Sequence, residues 1–253
     1  MHFKKNFYEL YYESHILPRR GALSIRKLNK KLKAFDLHFG EFLPEHFNAN
    51  IIDAGCGNGS LVYWLQKKGY INACGVDGGM VQIAEGKSLG INNLETADLV
   101  SHLEERSETF DVIFLRDVLE HFHKEDVLPL LKTCRSALRP GGRLVIQVPN
   151  GTSPFVGRVL FGDFTHETAY TESSLSQLFQ VSGYQDFSVK PFSPVIRKIT
   201  WRSLFSQSGR RAIGRKLAWV VVSRMYAFML FAEIGRHTIV STFNLIATAL
   251  RPK

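Results

Sequence analysis

Three glycines at alternate positions form the clearest chemical signal in the chain. Gly55, Gly57 and Gly59 follow directly on the apolar run 51–54. Glycine is favoured where a backbone turns sharply and a ligand approaches without a Cβ in the way. The helix that starts after the third glycine would present its N–H groups to a carboxylate or phosphate. A strand, a glycine turn and a helix N-terminus in this order predict a ligand-binding loop over residues 53–59.

An acidic residue also ends the next apolar run. Asp77 follows the loop by about 20 residues, the position from which a carboxylate accepts hydrogen bonds from both ribose hydroxyls of an adenosine cofactor. Nicotinamide-binding folds share this pair of signals. Their fingerprint, G-x-G-x-x-G, requires a glycine where this chain has Ser60, so the spacing disfavours a nicotinamide enzyme.

Short apolar runs alternate with helix-length segments from residue 50 onward, which predicts an α/β fold with a mostly parallel sheet covered by helices. Seven strands are predicted, over residues 51–54, 73–76, 94–97, 111–115, 143–148, 184–191 and 239–250. Helices are predicted over residues 60–68, 80–88, 125–138 and 171–181, the last with Thr171 or Ser173 as its N-cap. Residues 1–40 are predicted as a helical cap on a domain of residues 41–253, with a helical insertion at about 193–238 between the sixth and seventh strands.

Five ordered segments within residues 50–150 carry a family resemblance. They read DAGCGNG, VD, AD, FDVIFLRDVLEH and LRPGGRLVI. In order and spacing they resemble the class I S-adenosylmethionine-dependent methyltransferases. The resemblance implies a Rossmann-like, seven-stranded, mostly parallel sheet with helices on both faces, and S-adenosylmethionine as the cofactor.

The resemblance also assigns parts of the cofactor to positions in this chain. The methionine end falls to the loop, the ribose to the end of the second strand, the adenine to the end of the third, and the sulfonium to the end of the fourth. The positions are Asp53, Gly55, Cys56, Gly57 and Gly59; then Asp77 and Gly78; then Asp98 and Leu99; and finally Leu115, Arg116 and Asp117. The pair Gly78 and Gly79 departs from the family, which often has a bulkier residue there.

Two histidines are candidates for chemistry on a methyl acceptor. A sulfonium methyl is already electrophilic, so the protein has to align the acceptor, and a hydroxyl acceptor benefits from a base that takes its proton. His121 follows the fourth strand, where it also suits a capping or packing role, and His166 lies in a polar and aromatic segment with Asp163. Asp117, Asp163, His166 and Glu167 have no diagnostic metal-ligand spacing, so no metal is predicted.

The acceptor class is suggested by residues 163–184, which read DFTHETAYTESSLSQLFQVSGY. This segment resembles methyltransferases of surface-polysaccharide, lipid and quinone pathways. The resemblance implies O-methylation of a hydroxyl on a glycan, a lipid-linked or nucleotide-linked sugar, or a lipid-like small molecule. An RNA methyltransferase and a non-catalytic cofactor-binding protein are the alternatives. The Asn/Asp-Pro-Pro-Tyr/Phe tetrapeptide of base-amine methylases is absent from the sequence.

The net charge of +9 is concentrated at the two ends of the chain. Residues 1–40 hold nine Lys/Arg against three Asp/Glu, and residues 190–253 hold twelve against one, whereas residues 41–189 hold eleven against nineteen. This distribution indicates an anionic partner, either nucleic acid, a membrane surface or a phosphorylated substrate, with a merely solvated basic surface as the alternative.

The insertion contains an apolar stretch, residues 217–231, which follows Arg210, Arg211, Arg215 and Lys216. Its fifteen residues are fewer than the roughly 20 needed to span a bilayer. The stretch therefore predicts either an interfacial membrane helix or a helix that packs on the core or forms a dimer face.

Three scattered cysteines, Cys56, Cys74 and Cys134, argue against a disulfide framework, and we find no signal-peptide pattern. We therefore expect a cytoplasmic protein, with contact to the inner face of a membrane as a second expectation. The sequence does not indicate an oligomeric state.

Overall fold

A computed structural model describes residues 10–192, 207–234 and 242–253. Its sheet has seven strands in the order β3-β2-β1-β4-β5-β7-β6. The strands are β1 (Ile51–Ala54), β2 (Ala73–Asp77), β3 (Leu94–Thr96), β4 (Phe110–Arg116), β5 (Leu138–Pro149), β6 (Gln185–Phe192) and β7 (Asn244–Leu250). Strands β1 to β5 pair in parallel, and β7 pairs antiparallel with both β5 and β6. The predicted seven-stranded, mostly parallel sheet is confirmed.

Helices cover both faces of this sheet. They are α1 (Leu17–Arg20), α2 (Ile25–Phe39), α3 (Ser60–Lys68), α4 (Met80–Ser88), α5 (Leu99–Glu104), α6 (Lys124–Ala137), α7 (Val156–Leu160), α8 (Glu172–Val181) and α9 (Gln207–Ile234). A π-helical turn, Tyr12–Ile16, precedes α1, and single 3₁₀ turns occupy Gly40–Phe42 and Leu119–His121. α3 and α4 have the bounds that the sequence predicts.

The side chains of β4 show how the two layers form. Ile113 and Leu115 pack with residues of α6 and α8, whereas Val112 and Phe114 pack with residues of α2 and α3. Because successive side chains of a strand point to opposite faces, a continuous apolar strand buries both faces of its sheet. The core therefore lies in two layers, one on each side of the sheet.

The order of the strands creates a crevice between β1 and β4. The chain runs outward from β1 to β2 and β3, then returns to place β4 on the other side of β1. The loops that follow β1 and β4 consequently leave in opposite directions. Ligands of open α/β sheets bind in such a crevice, at the carboxyl ends of the strands.

Three elements differ from the sequence predictions; one is the short helix α7, which was not predicted. β5 begins at Leu138, not at residue 143, because Leu138 pairs with Phe110 before the register shifts. Gly141, with φ of +79°, and Gly142 then exchange backbone hydrogen bonds with Arg251. Helix α5 was not predicted. Its N-cap is Asp98, whose carboxylate accepts a hydrogen bond from the Ser101 N–H.

The remaining boundaries agree closely with the predictions. Thr171 is the N-cap of α8, in a capping box with Ser174. The seventh strand was predicted from residue 239; residues 239–241 lie outside the described part, and the strand begins at Asn244.

The N-terminal cap and the insertion are both helical where the structure describes them. α2 buries Phe35 and Phe39 against Trp64 of α3, so the cap shares the core of the sheet. Residues 1–9 of the cap and residues 193–206 and 235–238 of the insertion lie outside the described part. Among the described helices, α9 included, none has the length and hydropathy needed to cross a membrane.

Candidate active site

The glycine loop packs tightly against its neighbours. Gly55, Gly57 and Gly59 have φ angles of +82°, +54° and +73°, in the left-handed region that favours glycine. The N–H of Gly55 donates to the Val76 carbonyl over 2.8 Å. A Cβ on Gly55 would lie 2.4 Å from Cγ2 of Val118, the residue that leads from β4 into the 3₁₀ turn. Glycine is required here because the loops after β1 and β4 meet at this point.

Asp53 is fully buried directly before this loop. Neither of its carboxylate oxygens has a hydrogen-bond partner among the described residues. Burial raises its pKa to about 6; the positive charge of Arg116 opposes this shift, and Asp77 and Asp117 add to it. A buried carboxylate without a donor is costly, so the site suits a ligand that brings a cation, such as an α-ammonium group.

Arg116 supplies the complementary charge. Its guanidinium lies 5.2 Å from the centre of the Phe35 ring, and it is close enough to Asp53 to lower the pKa of that carboxyl. Its buried Nε has no hydrogen-bond partner among the described residues. An acid and a guanidinium beside one glycine loop match the two charges of an amino-acid moiety, so both groups fit the methionine end of S-adenosylmethionine.

Asp77 fastens the loop from the end of β2. Its Oδ2 accepts from the Gly57 N–H and its Oδ1 from the Gly79 N–H, both over 2.7 Å. A Cβ on Gly78 would meet nothing within 4 Å, so the missing side chain leaves open space beside the expected ribose position. Asp77 therefore lies at the end of β2, beside the glycine loop, and it holds the two turns that flank it.

Three of the expected cofactor positions have structural roles of their own. Asp98 is exposed and caps α5, so its carboxylate already accepts from protein donors. Leu115 is fully buried in the core, and Leu99 packs against the same core. The side chain of Leu115 thus faces the layer formed by α6 and α8. Cys56 is buried next to Gly57, and it is a free thiol, as are the other two cysteines.

Asp117 has a left-handed backbone, with φ of +57°, directly after β4. Its Oδ1 accepts from Gln147 Nε2 over 2.6 Å and from Asn244 Nδ2 over 3.1 Å. A non-glycine residue in this conformation costs free energy and is typical of functional sites. Gln147 and Asn244, which hold Asp117, were not predicted from the sequence.

His121 is held through a chain of two hydrogen bonds. Its Nδ1 lies 2.9 Å from Oγ1 of Thr165, and that hydroxyl donates to Oδ1 of Asp163 over 2.7 Å. Since a hydroxyl has one proton to donate, a neutral His121 carries its own proton on Nδ1, and Nε2 is the acceptor. Burial, with the neighbouring His166, lowers the pKa of His121 to about 4, so the ring is neutral at physiological pH.

The structure brings the second candidate histidine beside the first. The rings of His121 and His166 lie 4.7 Å apart at 68°. His166 Nδ1 donates to the Val159 carbonyl over 3.0 Å, and its Nε2 lies 3.9 Å from Oδ2 of Asp163. Asp163 is therefore shared by both histidines.

Two residues of the N-terminal segment complete this cluster. The Tyr11 hydroxyl donates to Oδ2 of Asp163 over 2.5 Å, and His15 Nε2 lies 3.2 Å from the same atom. Burial alone would raise the pKa of Asp163, but hydrogen bonds from Tyr11 and Thr165 outweigh it and lower the pKa to about 2. Sequence reasoning missed Tyr11, His15 and Thr165; the aromatic and basic character of the N-terminal segment was the only signal.

A cation could be held next to the same cluster. Ligand atoms of Glu120, His121 and His166 all lie within 4.8 Å of one another. Glu120 is buried, its Oε2 has no hydrogen-bond partner among the described residues, and burial raises its pKa well above the usual value. Asp117, Asp163 and Glu167, considered as ligands from the sequence, do not belong to this group. The absence of a metal remains a sequence prediction.

A Gly55→Ala variant tests the close approach between the two loops. The added Cβ displaces Val118, so we expect binding of S-adenosylhomocysteine, measured by calorimetry, to weaken by about tenfold or more, with a stability loss of about 1–3 kcal/mol. Gly90→Ala is the matched control, because Gly90 has φ of +78° and open space around its Cβ position. It should lose about 1 kcal/mol of stability and keep its affinity. Equal affinities for the two variants would contradict the proposed contact.

An Asp53→Asn variant tests the buried charge. The pKa of Asp53 is about 6 in the folded protein, so the folded state holds the proton more tightly than the unfolded chain does. This stabilises the fold fully below the unfolded-state pKa, and the stabilisation is lost as the pH rises through 6. In urea unfolding, Asp53→Asn should therefore gain about 1 kcal/mol relative to the native chain between pH 5 and pH 8. The exposed Glu104→Gln is the control and should show no such change. A stability difference between Asp53→Asn and the native chain that does not change with pH would mean that burial does not raise the pKa of Asp53.

Known proteins share both the fold and part of the sequence. A methyltransferase from Archaeoglobus fulgidus, described as S-adenosylmethionine-dependent, superimposes with a TM-score of 0.60 at 18% identity over 90% of this chain and 100% of its own. A ubiquinone biosynthesis O-methyltransferase from Aliivibrio fischeri is 29% identical over 41% of this chain and 45% of its own. A tRNA U34 carboxymethyltransferase from Desulfotalea psychrophila is 29% identical over 49% and 39%. The chain spans less than half the length of these two curated relatives.

A family profile described as a methyltransferase domain matches residues 23–189, more than half of the chain. The match includes the glycine loop, Asp77, and the turn with His121. The orphaned carboxylate of Asp53 and the cradle at Gly55 fit the cofactor of such enzymes. This chain belongs to the family of S-adenosylmethionine-dependent methyltransferases.

Proposed function

We propose that this enzyme methylates a hydroxyl of a glycan, a lipid-linked or nucleotide-linked sugar, or a lipid-like small molecule. The observation that carries the proposal is the Asp163–Thr165–His121 chain, which orients a neutral imidazole in the 3₁₀ turn that follows Val118. Val118 itself lies against Gly55 of the glycine loop. A hydroxyl needs such a base because it loses its proton as the new bond forms. The similarity to a ubiquinone biosynthesis O-methyltransferase supports this acceptor class.

The proposed binding residues recognise the cofactor by its charges and by its shape. The glycine loop would admit the methionine end of S-adenosylmethionine and Asp53 would hold its ammonium group. Arg116 would hold its carboxylate, and Asp77 the ribose hydroxyls. When bound, the cofactor supplies an electrophilic methyl group on a sulfonium. The ammonium group would give the buried carboxylate of Asp53 the partner that the described residues do not provide.

The residues around His121 would receive the proton of the acceptor hydroxyl. His121 Nε2 would take the proton of the acceptor hydroxyl, while Nδ1 keeps its hydrogen bond to Thr165. Asp163, ionised at neutral pH, stabilises the imidazolium through that hydroxyl. His166, which shares Asp163, positions the acceptor against His121.

We also propose that residues 1–40 act as a cap that completes the site of a methyltransferase domain formed by residues 41–253. The Tyr12 hydroxyl donates to Glu85 of α4 over 2.5 Å, and the adjacent Tyr11 donates to Asp163. The N-terminal segment thus bridges the two sides of the crevice. A segment in this position excludes water from the reacting groups.

A second candidate is methylation of RNA. The basic ends of the chain and the similarity to a tRNA U34 carboxymethyltransferase favour it. The free cysteines support a reducing compartment such as the cytoplasm for either acceptor.

The acceptor class is tested by label transfer from methyl-labelled S-adenosylmethionine to a host extract separated into lipid, glycan, small-molecule, RNA and protein fractions. We expect label in the lipid, glycan or small-molecule fraction. Label confined to RNA would replace the proposed acceptor class with the second candidate, and label confined to protein would contradict both.

A His121→Ala variant tests the base. Loss of the proton acceptor should lower kcat by about 10²-fold or more, while the affinity for S-adenosylhomocysteine stays within about twofold. In the native enzyme the acid limb of kcat/KM should lie well below pH 6.5, because burial lowers the pKa of His121 to about 4. The exposed His46→Ala is the control and should keep full activity. An unchanged kcat in His121→Ala would assign catalysis to alignment alone.

A further inference from the structure

α9 touches the rest of the protein along one narrow side. Trp219 stacks on Phe155 with ring centres 4.5 Å apart and lies 4.8 Å from Phe243. One turn later, Ser223 is buried. Because residues four apart share a side of a helix, Trp219 and Ser223 define the side that packs on the domain.

The opposite side of α9 is apolar and exposed. We call it the apolar face; it consists of Leu217, Val221, Met225, Phe228 and Met229, which are 62%, 55%, 63%, 71% and 63% exposed. Their spacing of four, four and three or four residues places them in one continuous stripe. A stripe of large apolar side chains in water is unfavourable and marks an interaction surface.

The charge of α9 indicates what that surface contacts. The helix carries five basic residues against one acid, Glu233; the basic residues are Arg210, Arg211, Arg215, Lys216 and Arg224. Four of the five lie in the first turns, before the apolar face begins. A second copy of α9 would bring the same excess of cations, so the helix does not complement itself. An anionic surface with an apolar interior complements both features.

α9 also packs on segments at the carboxyl end of β5, on the side of the sheet where the candidate site lies. Phe155, on which Trp219 stacks, belongs to the segment after β5 that continues to Asp163. Phe243 directly precedes Asn244, which donates to Asp117. The same segment exposes Phe161 and Phe164. α9 thus packs on segments that also lead to the crevice, at the carboxyl end of β5.

We propose that α9 lies on the surface of an anionic phospholipid membrane, with its apolar face among the acyl chains and its basic first turns at the lipid phosphates. The enzyme then works at the bilayer surface, where a lipid-linked or lipid-like acceptor is concentrated. Membrane binding itself does not depend on which acceptor is methylated.

The test is sedimentation of the full chain with phosphatidylcholine vesicles, prepared with or without phosphatidylglycerol. We expect the protein to sediment with the vesicles that contain phosphatidylglycerol and not with pure phosphatidylcholine, and binding should weaken as salt is added, because salt screens the basic turns. Failure to sediment with phosphatidylglycerol vesicles at low salt would overturn the proposal.

A double variant, Met225→Ser with Phe228→Ser, tests the apolar face. Removing two large apolar side chains should weaken binding to phosphatidylglycerol vesicles by about tenfold or more. Ile71→Ser is the matched control. Ile71 is 72% exposed just before β2, at the amino ends of the parallel strands, and its replacement should not change vesicle binding. Binding of S-adenosylhomocysteine confirms that both variants are folded.

Two further results would count against the proposal. Vesicle binding that survives the double variant would show that the basic ends act alone. A dimer in sedimentation velocity that the double variant converts to a monomer, in a protein that binds no vesicles, would show that a second copy covers the apolar face.

Discussion

The carboxylate of Asp53 is removed from water at the end of an interior strand, and the arrangement of the site depends on it. Burial favours the protonated acid, and the guanidinium of Arg116 offsets part of that preference. The loop that follows Asp53 packs closely against Val118, and this approach is possible because Gly55 has no Cβ. The protein thus maintains a local instability that a cationic ligand relieves, a common trade between stability and function.

The parts of the fold that could be predicted are those encoded by local patterns. The strand Ile51–Ala54 and the helices α3 and α4 have the predicted bounds because apolar periodicity and glycine punctuation both mark them. β5 was predicted to begin five residues too late, because its pairing of Leu138 with Phe110 and the hydrogen bonds of Gly141 and Gly142 to Arg251 are contacts between distant segments. Helix α5 was missed because Asp98 was assigned to a ligand and not to the helix that it caps.

The parts of the site that could not be predicted are contacts between distant segments. Motif spacing located the loop and both histidines, but it contains no information on which residues hold them. Tyr11 and Asp163 are separated by 152 positions, and Asp117 and Asn244 by 127. Thr165 has no signature of its own; it matters because the fold places its hydroxyl between His121 and Asp163. Such partners are set by topology, which single-sequence patterns do not specify.

The placement of β7 also orders the events of folding. β6 reaches the sheet only through β7, and β7 is separated from β6 along the chain by the whole insertion. Strands β1 to β5 with their helices can therefore assemble first. The backbone N–H and C=O groups on one side of Leu144, Val145 and Ile146, whose side chains are apolar, then lack their partner strand. Pairing of β7 is a long-range and consequently slow step. Until it is complete, the open edge of β5 is the part of this protein most prone to aggregation.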